Sequence, residues 1–417
     1  MMFDDDVATA AVGLIAQLPC WSVPAGVQFN TYGSLLAITE PARNAAGGAF
    51  IRCYACRGLG GIATVAEKDD EESASVAAAT RLSLPDTGAS CTTFTQAEDV
   101  MALAPSRLDR HVFTLSISTG EMLASYHPSG ESLLRPFATG WSTCCMARSP
   151  AHHDVLVAGV RDGPVQFYHL SCAKAVAHLD EASTGTSAVG ISASGKHLAV
   201  ADERRLKVYD WRLMGHGPMV DMEFGRVNVL RTAAEMAVVH RDETHLVSSR
   251  SRLRSCAPLR DAISPDAAPI AHVAFHPVDD TALLLTTQAN VVAELDIASM
   301  DVTCVYGVSE HGECRIPPPT FARSSSGELP AREMPARQWV CAAQYSPDGG
   351  FVAAGGGLSR TYLFDAAEGE LIKGWKIPRA DWSSVAHVAW HPTVTMFAAG
   401  TSTSVNLFCA RATSARQ

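Results

Sequence analysis

Apolar positions along this chain fall into short runs punctuated by turn residues, and the runs recur as a unit. The segment "AVGISASGKHLAVADERRLKVYDWR", beginning at Ala188, shows the unit in compact form. An apolar run ends at the Ser194-Gly195 corner, and a second run of small apolar residues follows. A charged turn, 202–205, then leads into Leu206 to Asp210, where apolar and polar side chains alternate. Short runs bounded by turn residues read as strands, so the unit predicts strand, turn, strand, turn, strand.

Six relatives of this unit begin at Val27, Cys91, Cys144, His272, Cys341 and Ala386. Their corner recurs as Ser149-Pro150, His276-Pro277, Ser346-Pro347-Asp348-Gly349 and His391-Pro392, and the third run closes on Tyr209-Asp210, Leu295-Asp296 and Phe364-Asp365. A WD repeat has Trp-Asp at that last position. The shortest spacings between units match the ~40–45 residues of one four-stranded propeller blade. A blade packs both faces on its neighbours, which explains inner runs such as "VLVAGV" and "FVAAGG" that are apolar on both sides. No blade can hide those faces alone, so the ring must close.

The predicted fold is therefore all-β, a seven-bladed WD40 β-propeller with flexible inserted loops, spanning 1–410 with a tail at 411–417. The seventh unit shows no outer strand after Leu407-Phe408-Cys409, and a strand at about 12–18 is expected to supply it. Asp4 to Asp6 are expected to cap a short helical turn ahead of it. Insertions are placed at about 58–90, 225–269 and 311–338. The "EMAVVH" portion of the second is expected to add a strand, and the Pro- and Ser-rich third is expected to be disordered.

Composition narrows the class. The chain is 47% hydrophobic and 18% charged, and no apolar run approaches the roughly 18 residues of a membrane helix. Asp4 to Asp6 have the wrong sign for a secretory leader, so export is not expected. The 12 cysteines show no disulfide framework, which suits reduced thiols in cytosol or nucleus. Cys53 and Cys56 form a lone C-x-x-C without a second pair at zinc-binding spacing, and on a strand they face opposite ways. Net charge is −10, so direct nucleic-acid binding is not expected. Arg250, Arg252, Arg254 and Arg260 form one local exception, either a solvated loop or a patch for phosphate or an acidic partner.

Candidate chemistry is sparse. Gly190 to Lys196 approximates a phosphate-cradling loop, but His197 replaces the required Ser or Thr and a strand follows in place of a helix, so a hairpin corner is expected. The His-Pro pairs at 127, 276 and 391, and His152-His153-Asp154, suit turn chemistry at repeated corners. No G-x-S-x-G elbow occurs. No catalytic residue, metal or cofactor is expected. The loops carrying Trp21, Trp141, Trp339 and Trp382 should share one rim with the turns carrying Arg161, Arg204 and Arg360. Trp and Arg are enriched among interface hot spots, so these residues either bind partners or pack between blades.

One stretch is more specific. "LKVYDWRLMGHGPMVDMEF", 206–224, resembles a signature of the Swd2-type WD-repeat family, and "HPTVTMFAAGTSTSVNLFCA" from His391 looks like that family's closing unit. "EDVMALAPSRLDRHVFTLSISTGEMLASY" from Glu98 is similar to its second blade. The resemblance implies a non-catalytic nuclear scaffold without cofactors. Its implied partners are protein phosphatase 1 with its targeting subunit in transcription termination, or the subunits of the COMPASS histone H3 methyltransferase, with RNA polymerase II as an indirect partner. The alternative is another WD40 adaptor, such as a ubiquitin-ligase substrate receptor or a trafficking subunit.

Overall fold

The computed structural model describes residues 12–41, 49–56, 80–84, 89–105, 112–127, 143–160, 163–179, 186–202, 205–223, 270–287, 292–306, 342–356, 359–377 and 385–410. These residues form seven antiparallel sheets of four strands each, a seven-bladed β-propeller. Strand β1 (Val12–Pro19) comes first among the described residues and belongs to the last blade.

Blade 1 holds β2 (Gly26–Phe29), β3 (Leu35–Pro41), β4 (Ala49–Ala55) and β5 (Thr80–Leu84). Blade 2 holds β6 (Ala89–Phe94), β7 (Val100–Pro105), β8 (Val112–Ser116) and β9 (Met122–Tyr126). Blade 3 runs through β10 (Thr143–Arg148), β11 (Val155–Val160), β12 (Val165–His169) and β13 (Lys174–Leu179). Blade 4 runs through β14 (Thr186–Ile191), β15 (His197–Asp202), β16 (Arg205–Asp210) and β17 (Val220–Glu223). Blade 5 contains β18 (Ile270–Phe275), β19 (Ala282–Thr287), β20 (Val292–Asp296) and β21 (Asp301–Tyr306). Blade 6 contains β22 (Ala343–Tyr345), β23 (Phe351–Gly355), β24 (Arg360–Asp365) and β25 (Leu371–Lys376). Blade 7 takes β26 (His387–Trp390), β27 (Met396–Gly400) and β28 (Ser404–Ala410) from one end of the chain and β1 from the other.

The core is divided among the blade interfaces. One apolar cluster lies between each neighbouring pair, seven in all. Strand alternation distributes each blade between two of them: Leu36 and Ile38 face blade 7, while Ala37 faces blade 2. That is why the inner strands read as unbroken apolar runs. Strand β1 pairs with β28 in register from Val12↔Ala410 to Pro19↔Ser404, with an irregularity between Leu14 and Ala16. Val12 packs toward blade 6, and Ile15 and Leu18 pack toward blade 1. Fully burying such a side chain contributes about 1.5–3 kcal/mol.

Two rims follow from the antiparallel order. Turns joining the first and second strands, and the third and fourth, share one end of the blades, here called the corner rim. The second-to-third turns and the blade-to-blade connections share the other, the connection rim. The Gly190 to Lys196 stretch spans the end of β14 and a corner-rim turn: Ser192 and His197 close it by a backbone hydrogen bond of 3.0 Å, and β15 follows at once. Lys196 reaches Asp280 of blade 5 at 3.6 Å.

Within the span 58–90, expected from sequence as an insertion, Thr80–Leu84 forms β5 and residues 89–90 open β6. The rest of that span apart from 80–84 and 89–90, the spans 225–269 and 311–338, the "EMAVVH" segment, Asp4 to Asp6 and the 411–417 tail lie outside the described residues.

Candidate interaction surface

Every blade turns its first corner on a polar residue: Asn30, Thr95, Ser149, Ser192, His276, Ser346 and His391. Each donates its backbone N–H to the carbonyl that begins the second strand's side of the turn, at 2.8–3.3 Å, as from Ser346 to Phe351 at 2.8 Å. The two histidines do more than turn the chain. His391 Nε2 lies 2.8 Å from the carbonyl of Gly33 in blade 1, while its Nδ1 accepts from the N–H groups of Thr393 and Val394, both at 3.2 Å. His276 repeats the arrangement, with Nε2 3.3 Å from the Gly349 carbonyl of blade 6 and Nδ1 accepting from Asp279 N–H at 2.9 Å. These contacts assign the neutral tautomer with the proton on Nε2. Burial holds His391 below the ordinary imidazole pKa, opposed in part by the Gly33 carbonyl. Gly33 and Gly349 are needed twice over. Both have positive φ, +70° and +78°, and a Cβ on either would stand 2.2 Å from the clasping imidazole.

The Asp residues at the WD position terminate the third strands. Asp210, Asp296 and Asp365 accept from the N–H groups of Arg212, Ala298 and Glu368 at 2.9, 2.9 and 2.6 Å. His152 stacks on Trp211 of blade 4 at 5.4 Å, and its N–H donates to Ser149 Oγ at 3.0 Å.

Of the expected rim residues, Trp21 and Arg360 lie among the described residues; Trp141, Arg161, Arg204, Trp339, Trp382 and the arginines at 250, 252, 254 and 260 lie outside them. Trp21 follows β1 on the connection rim. Its N–H donates to Glu40 Oε1 at 2.6 Å, and its ring packs edge-on against Phe50 and lies 4.3 Å from the Arg81 guanidinium. Beneath it Glu40 and Arg52 form an ion pair of 2.7 Å, with side chains 1% and 8% exposed. Trp21 thus roofs a buried charge pair at the ring closure and is still 42% exposed. Arg360 opens β24 opposite Lys376 and is half-buried, on a different blade from Trp21.

Sequence reasoning missed two inner-strand ties. Gln28 of blade 1 donates to the Thr92 carbonyl and accepts from the Phe94 N–H of blade 2, at 2.9 and 3.2 Å. Gln344 of blade 6 accepts from the Trp390 N–H of blade 7 at 3.2 Å. Side-chain amides satisfy backbone groups that the innermost strand of a blade leaves unpaired.

The exposed large apolar residues concentrate on the corner rim: Tyr32, Leu213, Met219, Val278, Met300 and Val394 all lie in its turns. A groove of about 200 Å³ between the corners of blades 6 and 7 is lined by Pro347, Phe351, Trp390, Pro392 and Val394. Cys53 packs toward blade 2 and Cys56 toward blade 7, and burial pushes both thiols up to about 12. Among the described residues no group of three or more His, Cys, Asp or Glu side chains is placed to hold a metal ion.

The chain matches no protein-family model and no curated protein. The seven-bladed architecture is consistent with the WD-repeat family, and no match ties the sequence to the Swd2-type family in particular.

Proposed function

We propose that this chain is a non-catalytic WD-repeat scaffold that serves as a subunit of a nuclear complex in transcription termination or chromatin regulation. The supporting observation is a closed ring of seven blades that offers two rims, with exposed apolar and aromatic side chains set among turns. A fold of this kind is compatible with a protein-interaction scaffold, because large apolar side chains exposed on a rigid frame suit partner binding. The nuclear assignment rests on the resemblance of 206–224 to the Swd2-type signature. It names protein phosphatase 1 with its targeting subunit, or the histone H3 methyltransferase subunits, as partners. Affinity purification of the tagged chain from nuclear extract tests it. Recovery of a phosphatase catalytic subunit with its targeting subunit, or of methyltransferase subunits, is the expected result. Recovery of a ubiquitin-ligase scaffold, or of cytosolic proteins alone, would overturn it.

A further inference from the structure

The last residue of each inner strand, just ahead of the corner, forms a column around the ring. Six blades place Phe29, Phe94, Ile191, Phe275, Tyr345 and Trp390 there. Three of these rings pack back on the corner of the preceding blade: Phe29 lies 5.1 Å from His391, Tyr345 4.8 Å from His276 and Phe275 6.4 Å from His197. Blade 3 places Arg148 in the column. It reaches in the same direction with hydrogen bonds, Nη1 donating to the Thr95 carbonyl of blade 2 at 3.1 Å and to Thr31 Oγ1 of blade 1. One side chain can join blades 1, 2 and 3 only on the axial side, where the inner strands converge.

An arginine here forgoes the ring packing its equivalents make, and the guanidinium is only partly used. Both hydrogen bonds fall on Nη1, which leaves the Nε–Nη2 edge without an acceptor among the described residues, on a side chain that is partly exposed. No carboxylate among the described residues pairs with it. Burial lowers its pKa, opposed in part by Tyr32, the residue that follows the Thr31 to which Arg148 donates. Tyr32 is 58% exposed, and its hydroxyl can donate. A half-buried cation without a counter-charge is costly, and an arriving anion would relieve that cost.

We propose that Arg148 and Tyr32 form an oxyanion-binding site at the corner-rim mouth of the propeller axis, taking a phosphate or carboxylate carried on a partner polypeptide. The free edge of the guanidinium matches either group with paired donors. The surrounding corners carry Glu98, Asp99, Asp279, Asp280 and Asp348, and the whole chain is negative, so the rim gives a free anion no long-range attraction. A segment that carries one oxyanion among basic residues satisfies the site and the rim together. This deepens the scaffold reading, on which it rests for the partner that delivers the anion.

Isothermal titration calorimetry on the full chain tests the site. The probes are inorganic phosphate, a lysine-flanked phosphoserine peptide, its unphosphorylated form and its aspartate form. The phosphopeptide is expected to bind at least about ten-fold more tightly than the unphosphorylated peptide. Arg148→Gln and Tyr32→Glu are each expected to abolish that advantage. Tyr32→Glu sets a competing carboxylate at an exposed position, so it stays informative should Arg148→Gln disturb the three-blade tie. An aspartate peptide as tight as the phosphopeptide assigns a carboxylate ligand; one as weak as the unphosphorylated peptide assigns a phosphate. Equal binding of all three peptides, or unchanged binding by both variants, would overturn the site. Phosphate binding without recovered protein partners would count against the scaffold reading alone.

Discussion

Replacing His391 with Ala removes the clasp that joins blade 7 to blade 1. The 2.8 Å hydrogen bond to Gly33 contributes about 0.5–1.5 kcal/mol, and the edge contact with Phe29 at 5.1 Å adds about 0.5–1.5 kcal/mol. The Gly33 carbonyl is left without its imidazole donor. The N–H groups of Thr393 and Val394 lie in a part-exposed turn, where water can replace the lost acceptor. The expected loss is therefore about 1–3 kcal/mol. Urea unfolding followed by tryptophan fluorescence measures it as a lower midpoint at unchanged slope. His391→Gln, which keeps a donor, should recover part of the loss. His276→Ala should cost less, because its bond to Gly349 is longer at 3.3 Å. The clasp also carries a sign in pH. The folded pKa of His391 is depressed, so below the ordinary imidazole range the unfolded chain binds more protons, and stability falls on acidification. That part of the acid sensitivity should vanish in His391→Gln. A loss below ~0.5 kcal/mol for His391→Ala, the scale of an ordinary surface change, would refute the clasp.

Further outcomes follow from the same contacts. Leu18→Ala, at a position 1% exposed between blades 7 and 1, should cost about 2–5 kcal/mol in the same urea assay. Arg52→Ala leaves the Glu40 carboxylate buried without its partner and should cost about 3–5 kcal/mol, whereas an exposed pair would show almost nothing. Burial lowers the pKa of His272 to about 4, so the neutral form is favoured in the fold. Stability should therefore rise by up to ~3 kcal/mol between about pH 4 and pH 6.5, and His272→Gln should flatten that rise in thermal unfolding across buffers. Lys196→Ala should change stability by no more than ~0.5 kcal/mol and leave any nucleotide signal in equilibrium dialysis unaltered, because Lys196 ends a hairpin turn.

The seven blades were legible because packing on both faces writes the same apolar run into each unit, and the Pro and Gly corners mark where the runs turn. Strand β5 was harder to read: residues 56–79 separate it from β4, so spacing alone made it part of an insertion. The His-Pro corners were legible as turns and not as clasps. Their second role depends on the Gly33 carbonyl, 358 positions from His391. Trp21 was legible as an interface candidate, while the Glu40–Arg52 pair beneath it depends on the pairing of β3 with β4. Arg148 does leave a trace, a charged residue in a column of large apolar ones, visible once the seven corners are aligned.

Ring closure by β1 has a consequence for biosynthesis. The ribosome makes Gln17 387 positions before Ser404, whose hydroxyl it bonds in the finished protein. Throughout that interval Val12, Ile15 and Leu18 have no sheet to join, and the nascent chain carries an unpaired apolar strand. A strand supplied from so far away is one that a second copy of the chain can also supply, so ring closure is the step at which two copies would exchange segments.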